Sequence, residues 1–312
     1  MSDISRRTRM KKNLHDIMKH KWLYAFLLPS ILILFIFKYL PMLGNIIAFK
    51  DYSINTGIID SPWVGLKHFK YLLFESSEFW GVFKNTIIIT FYRIIVGFPA
   101  PIILALLLNE IRLIRAKKVA QTIVYLPHFI SWVVIAGIFQ FLLTVNGGPV
   151  NTVLGMFGAE PIPFLQSKEW FRGILVGSSL FKEAGYGTVI YMAALTGIDQ
   201  QLYEAAKIDG ANRWKCLLKI TIPGIMPTAV IVLIISVGST IRTGFEQVLL
   251  FISSPVFEVG DILQTYVYRT GLQMGRFSYA SAIGMFESII ALVLILTTNK
   301  IAKSMREEGG LW

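Results

Sequence analysis

The sequence predicts an all-α membrane protein with about six transmembrane helices, each near the twenty residues that a hydrocarbon core of about 30 Å demands. Three observations carry this. Hydrophobic residues make up 54% of the 312 positions and charged residues only 16%, a balance too apolar for an ordinary water-soluble globule. Long runs that are poor in charge recur near 22–41, 86–109, 120–143, 173–196, 227–249 and 279–298. The net charge of +11 is concentrated on alternate connections: Arg6, Arg7, Arg9, Lys11, Lys12, Lys19 and Lys21 precede the first run, and further clusters lie in 112–118, 207–219 and 300–306. Basic residues on alternate connections mark the cytoplasmic side. The charge is therefore a topology signal rather than a nucleic-acid surface. Both termini are expected in the cytoplasm, with 42–85, 144–172 and 250–278 outside.

Taken in order, the elements follow from local chemistry. A basic cytoplasmic tail (1–21) leads into the first helix (22–41), which is too long for a signal-peptide core and lacks a small-x-small cleavage site, so it reads as a retained span. In the outer loop 42–85, Pro62 and Gly65 mark a turn, and Trp63 and Phe69 suit the membrane interface. Gly97, Pro99 and Pro101 in the second run and Pro127 in the third are expected to kink or closely pack their helices. The loop 250–278 repeats Leu263, Tyr266, Val267 and Thr270 at helical spacing, which predicts a short amphipathic helix along the membrane surface. The tail 299–312 returns to the cytoplasm. Cys216 is the only cysteine, so the chain forms no internal disulfide.

The segment 199–223 is the one polar, multiply charged stretch of its length between long apolar runs. Asp199 is placed to cap a helix containing Ala205 and Ala206, Gly210 to make a left-handed turn, Asn212 to cap a second helix and Pro223 to stop it. Such a flat helix-turn-helix is a docking surface. Glu204-Ala205-Ala206, then Gly210 four residues on, then Ile220-x-x-Pro223, resembles the EAA loop of binding-protein-dependent ABC transporter permeases. The resemblance implies a type I ABC importer permease fold with a core over about 81–298. In that family the loop sits in a cleft of the cytoplasmic ATPase, which assigns coupling to Glu204, Ala205, Ala206, Asp209, Gly210, Ile220 and Pro223. Trp63-Val-Gly-Leu-Lys-His-Phe69 is similar to the Trp-x-Gly-Leu-x-Asn-Phe signature of sugar-type permeases, with His68 in place of the usual Asn. Asp261–Leu272 and the terminal Gly-Leu-Trp312 resemble the polysaccharide and oligosaccharide subgroup. The implied partners are a second homologous permease, an ATPase dimer that holds ATP and Mg, an extracytoplasmic solute-binding protein and a carbohydrate, in a bacterial cell membrane. No cofactor is expected on this chain.

Arg93, Lys182, Glu183, Arg242, Glu246 and Glu287 fall in or near the apolar runs. A charge at the bilayer centre costs about 2.5–3.5 kcal/mol even on permissive scales, so these groups should face protein or water. Ser179, Glu183 and Tyr186 share one face of the fourth run, and Ser236, Thr240, Thr243 and Gln247 repeat that spacing on the fifth. Family resemblance places the sugar site on the same helices. With Lys182, Arg242 and Glu246 these residues form the expected substrate path. Each has a plainer reading: Ser and Thr bond their own backbone, Lys182 and Glu183 are solvated near the outer leaflet, and Arg242 and Glu246 are an i, i+4 ion pair. No catalytic or metal constellation is visible. The four histidines are scattered, and His128 beside Pro127 reads as a packing residue. No phosphate-binding loop is present, so a nucleotide must act through a partner. A membrane enzyme of surface-polysaccharide assembly predicts carboxylates or metal ligands that the sequence lacks; an importer of peptides or amino acids differs only by the sugar-type signatures.

Overall fold

The computed structural model of the chain describes residues 19–240 and 244–305, with side chains as far as 237 in the first stretch and 300 in the second. The described residues are helical, with one isolated antiparallel bridge, Lys50 to Trp63. The chain divides after His68 into two compact units.

The first unit is a helix, α1 (Lys21–Leu34), which continues through a π turn at Phe35–Tyr39 and a 3-10 segment ending at Phe49. The whole stretch Lys21–Phe49 is long and apolar enough to cross a membrane. After it the chain folds back on itself. Val64 N–H donates to Phe49 O, His68 Nε2 lies 3.1 Å from Lys50 O, Lys67 pairs with Asp51 at 2.9 Å, and Trp63 stacks on Phe49. Gly65 makes the turn with φ +60°. The segment 63–68 thus closes a small hairpin-like loop, and His68 has a backbone partner of its own.

In the second unit, α2 (Ser77–Gly97) and α3 (Pro99–Glu110) form one 34-residue span. Residues 77–85, expected in the outer loop, are its first turns, because Ser76 caps them by accepting from Phe79 N–H. Next come α4 (Ile114–Tyr125) and α5 (Trp132–Leu142), joined by a 3-10 turn at Leu126–Phe129 and bent by 100°. The expected continuous span 120–143 is therefore broken. Pro127 removes a helical donor, and Ser131 starts a new helix by accepting from Val134 N–H.

α6 (Lys168–Thr196) is the centre of this unit and packs on α2, α3, α4 and α9 (Ile222–Thr240). At 29 residues it is about 43 Å long, ample for a bilayer. Among the described residues four helices, or five counting the bent pair, are long and apolar enough for a span, and α6 is not among them. Its buried side carries Ser178, Lys182 and Thr188, polar groups that face protein rather than lipid. The expected six spans thus become five by composition, with α6 a sixth by length. Close packing replaces hydrophobicity here, as lipid offers little driving force between helices. A side chain at Gly185 would collide with Val124 O, and one at Gly187 would meet the Pro101 ring.

α7 (Gln200–Ile208) and α8 (Arg213–Cys216) follow α6. A π turn at Leu217–Thr221 then leads directly into α9. The expected fifth span, 227–249, differs from what is found. The apolar helix begins at Arg213 and α9 is described as far as Thr240, while α10 (Phe245–Phe251) starts anew after Gly244, whose φ of +102° cannot continue a helix. α11 (Leu263–Tyr268) is the short helix expected near 263–270, but it buries Leu263 and Tyr266 against Phe79, Val82, Tyr279 and Ile283 rather than lying on a membrane surface. α12 (Phe277–Met305) closes the unit.

Candidate functional site

The break between α4 and α5 meets α6 at its most polar point. Lys182 is buried, and its ammonium donates to His128 O at 2.7 Å and to Ile130 O, while lying 5.6 Å from the Trp132 ring centre. It thus serves carbonyls at a helix end that has no further turn to bond. One residue on, Glu183 Oε2 lies 2.8 Å from His128 Nδ1. Tyr186, one turn further along α6, lies flat on the His128 imidazole with ring centres 4.0 Å apart. Glu183 and Ser179 also line a small cavity of about 110 Å³ with Arg93, Gly97 and Pro101. Ser179, Lys182, Glu183 and Tyr186 are thereby brought together, with Lys182 turned inward and Glu183 and Tyr186 half exposed. The reading of Lys182 as a solvated outer-leaflet group is overturned, since it braces a broken helix. His128 was missed as a site residue. The signal was the pairing of Pro127-His128 with the capping residue Ser131, which together announce a helix end.

The fifth-run face is not one surface. Gln247 lies on a separate helix that starts after Gly244, at φ +102°, so it does not continue the line of Ser236. It is fully buried: Arg93 donates to its side-chain oxygen, and its amide nitrogen donates to Leu175 O and Ser178 Oγ, both at 2.7 Å. Both side-chain polar atoms of Gln247 are used in tying α10 to α2 and α6, so the expectation of a substrate contact there gives way to an internal tie. Glu246 is exposed and Ser236 half-buried. Arg242 and Thr243, and the side chain of Thr240, lie outside the described residues.

At the end where α6 stops, the docking segment has the geometry its residues dictate. Asp199 Oδ1 accepts from Gln201 N–H and Asn212 Oδ1 from Lys215 N–H, each at 2.9 Å. Ala211 N–H reaches Ala206 O and Gly210 N–H reaches Lys207 O, with Gly210 at φ +75°. This is the Schellman ending of a helix. Tyr203 Oη and Thr221 Oγ1, 2.9 Å apart, pin α7 to the root of α9. Glu204, Ala205, Asp209 and Pro223 are exposed, Ala206 and Ile220 half-buried. Ile208 and Trp214 stand 87% and 71% exposed, large apolar side chains beside charge, the composition of an anchor for a protein partner. One expectation is corrected: Pro223 does not stop the second helix. The π turn before it, in which Ile222 N–H bonds Leu217 O, widens the backbone around the proline ring, and α8 runs on into α9.

At the opposite end a polar cluster joins α2, α6 and the segment before α11. Asn85 donates to Glu258 O, Arg172 donates to Asn85 Oδ1 and Val259 O, and Lys168 pairs with Glu258. Arg269 bridges Glu78 and Asp261. Burial pushes the Asp261 carboxyl above the ordinary carboxylate range, against the pull of Thr265 and Arg269. Among the described residues no three His, Cys, Asp or Glu side chains gather for a metal ion.

Residues 97–306 match the family described as "Binding-protein-dependent transport system inner membrane component". The chain belongs to this family. It is a transport permease subunit rather than an enzyme. It is 44% identical over 306 residues to the polygalacturonan/rhamnogalacturonan transport system permease protein YteP of Bacillus subtilis (strain 168), covering 98% of this chain and 95% of that one. The arabinooligosaccharides transport system permease protein AraP of the same organism is 28% identical, covering 92% and 90%. A solved bacterial ABC transporter involved in the import of the acidic polysaccharide alginate contains a chain similar at TM-score 0.87 and 41% identity, covering 93% of this chain and 98% of that one. The alginate transporter in complex with an alginate pentasaccharide-bound periplasmic protein matches equally, at TM-score 0.87 and 40% identity.

Proposed function

We propose that this permease carries a carbohydrate, an oligosaccharide or a fragment of a polysaccharide, across a bacterial membrane by alternating access. The observation that carries the mechanism is continuity. The docking segment is joined at Asp199 to α6, which bears Ser179, Glu183 and Tyr186, and at its other end runs without a break into α9. A force on α7 and α8 therefore reaches α6, which bears the polar site, and α9, which packs against α6, with little slack. The cargo class is supported by the names of the relatives, and by a half-exposed Tyr–His stack beside a carboxylate, which suits a hydroxylated ring with an apolar face.

In this reading the core is 81–298, and the exposed Ile208 and Trp214 dock into a cytoplasmic ATPase dimer. ATP and Mg bind there and not on this chain. A second, homologous permease completes the pathway, and a solute-binding protein delivers sugar from outside. Both termini and the docking segment face the cytoplasm. A two-state protein responds only to interactions that differ between its states; the ATPase supplies that difference at α7 and α8, and the sugar supplies it at α6.

A membrane-impermeant thiol reagent tests the orientation. It should modify Cys216 in inverted vesicles but not in intact cells, and a cysteine placed at Ser53 should behave in the opposite way. Labelling of Cys216 from outside would refute both the topology and the docking role.

A further inference from the structure

We propose that the outward face of α4 holds an anionic phospholipid of the cytoplasmic leaflet, with Arg115 and Lys118 on its phosphate; this uses the orientation proposed above but not the cargo. α4 packs on α3 and α6, and Lys117, Ala120, Gln121, Val124 and Tyr125 are half-buried. Arg115, Lys118, Val119, Thr122, Ile123 and Leu126 are exposed on the opposite side, with the spacing of a single helix face. This stripe is ordered along its length. Its two cations come first, and Val119, Ile123 and Leu126 follow, 60%, 65% and 59% exposed. Thr122 donates its hydroxyl to Lys118 O at 2.9 Å, so it adds no unsatisfied polar group to the apolar part. From Lys118 to Leu126 the helix rises about 12 Å, close to one leaflet's share of a hydrocarbon core of about 30 Å. The 100° bend follows at once.

Arg115 and Lys118 stand three residues apart, neighbours of like sign on one face. No acidic residue occurs from 111 to 159, and among the described residues neither cation has an ion pair. Lys117, by contrast, turns to α3 and donates to Asn109 Oδ1 at 3.4 Å, and Glu110 lies 4.0 Å from Arg213. The outward pair therefore lacks a counter-charge within the chain. A phosphodiester between the two supplies it, and the acyl chains then lie along Val119, Ile123 and Leu126. A soluble anion would use the cations alone; the adjoining apolar stripe selects a lipid.

The test uses the complete complex, permease pair with ATPase, in a neutral detergent. Phosphatidylglycerol and phosphatidylcholine with the same acyl chains are titrated, and bound lipid is counted by native mass spectrometry. Wild type should prefer phosphatidylglycerol. Arg115→Gln and Lys118→Gln should each weaken it about fivefold, the worth of one cation at an anionic surface, and leave phosphatidylcholine unchanged. Arg115→Lys and Lys118→Arg should keep the preference. Equal retention of the two lipids by wild type, or unchanged phosphatidylglycerol in both Gln variants, overturns the proposal. Excess inorganic phosphate should not displace the lipid; displacement would assign the cations to a soluble anion and overturn it too. A second measurement leaves both cations in place. In a Cys216→Ser background, Ile123→Cys carrying a benzophenone is illuminated in membranes. Crosslinks to phospholipid support the proposal, and crosslinks to the second permease make this stripe a subunit interface and overturn it. Labelling of Cys216 from outside overturns the orientation, and with it the leaflet named here, while the lipid preference in detergent stands apart from it.

Discussion

Replacing Lys182 by methionine should destabilise the permease markedly. Methionine nearly matches the volume of lysine, so the loss isolates the ammonium. Two charge-assisted hydrogen bonds, to His128 O and Ile130 O, disappear, along with a cation–π contact to Trp132. Such hydrogen bonds contribute about 1.5–3 kcal/mol each, and a partly desolvated cation–π contact roughly 0.5–2 kcal/mol. Removing the unpaired buried charge recovers part of this, for an expected net loss on the order of 3 kcal/mol. At about 2–4 °C per kcal/mol for a unit of this size, the melting temperature in detergent should fall by roughly 6–12 °C. Fluorescence-detected size exclusion after heating measures it. Lys182→Arg, which keeps charge and donors, should recover at least half of the loss. A Met variant that melts within a degree or two of wild type would refute the idea that Lys182 holds the break.

Three further outcomes are expected. Gly210→Val should abolish transport while leaving the membrane part folded, since φ of +75° strains a β-branched residue; normal sugar-stimulated ATP hydrolysis would count against the docking role. Gln247→Leu should lower thermal stability by about 2–4 kcal/mol, because Arg93 and Ser178 lose a buried partner, and an unchanged melting curve would contradict the tie between α10 and α6. Asp261 binds its proton more tightly folded than unfolded, so the cluster it belongs to gains stability as pH falls through the acid range and loses it as pH rises through the raised value. Asp261→Asn should flatten that dependence, read as melting temperature against pH.

Much of the fold was legible because its signals are local. Caps at Asp199 and Asn212 and the left-handed Gly210 need only their neighbours, and the structure forms each where the residues predict it. Apolar run length gave the spans and placed α6, which composition alone would reject. What escaped was decided by partners distant in sequence. Gln247 shares a helical spacing with Ser236, but it lies on a new helix that begins after Gly244 and is bonded by Arg93, 154 positions earlier in the chain. The tie from Lys182 to the carbonyls at 128 and 130 depends on a 100° bend that hydropathy averages away. Pro223 was read as a stop because a π turn leaves no mark on apolar periodicity.

The polar heart of α6 also bears on how the protein is made. A helix with adjacent Lys182 and Glu183 at its middle is poorly suited to enter lipid by itself. The groups that satisfy it, His128 and the carbonyls of His128 and Ile130, lie in the break between α4 and α5, and the close approach at Gly185 is to α4. All of these leave the ribosome before α6 does. Chain order therefore supplies a waiting seat for the one segment that hydropathy would leave in the water, and a circular permutation that delivered α6 first should strand it outside the bilayer.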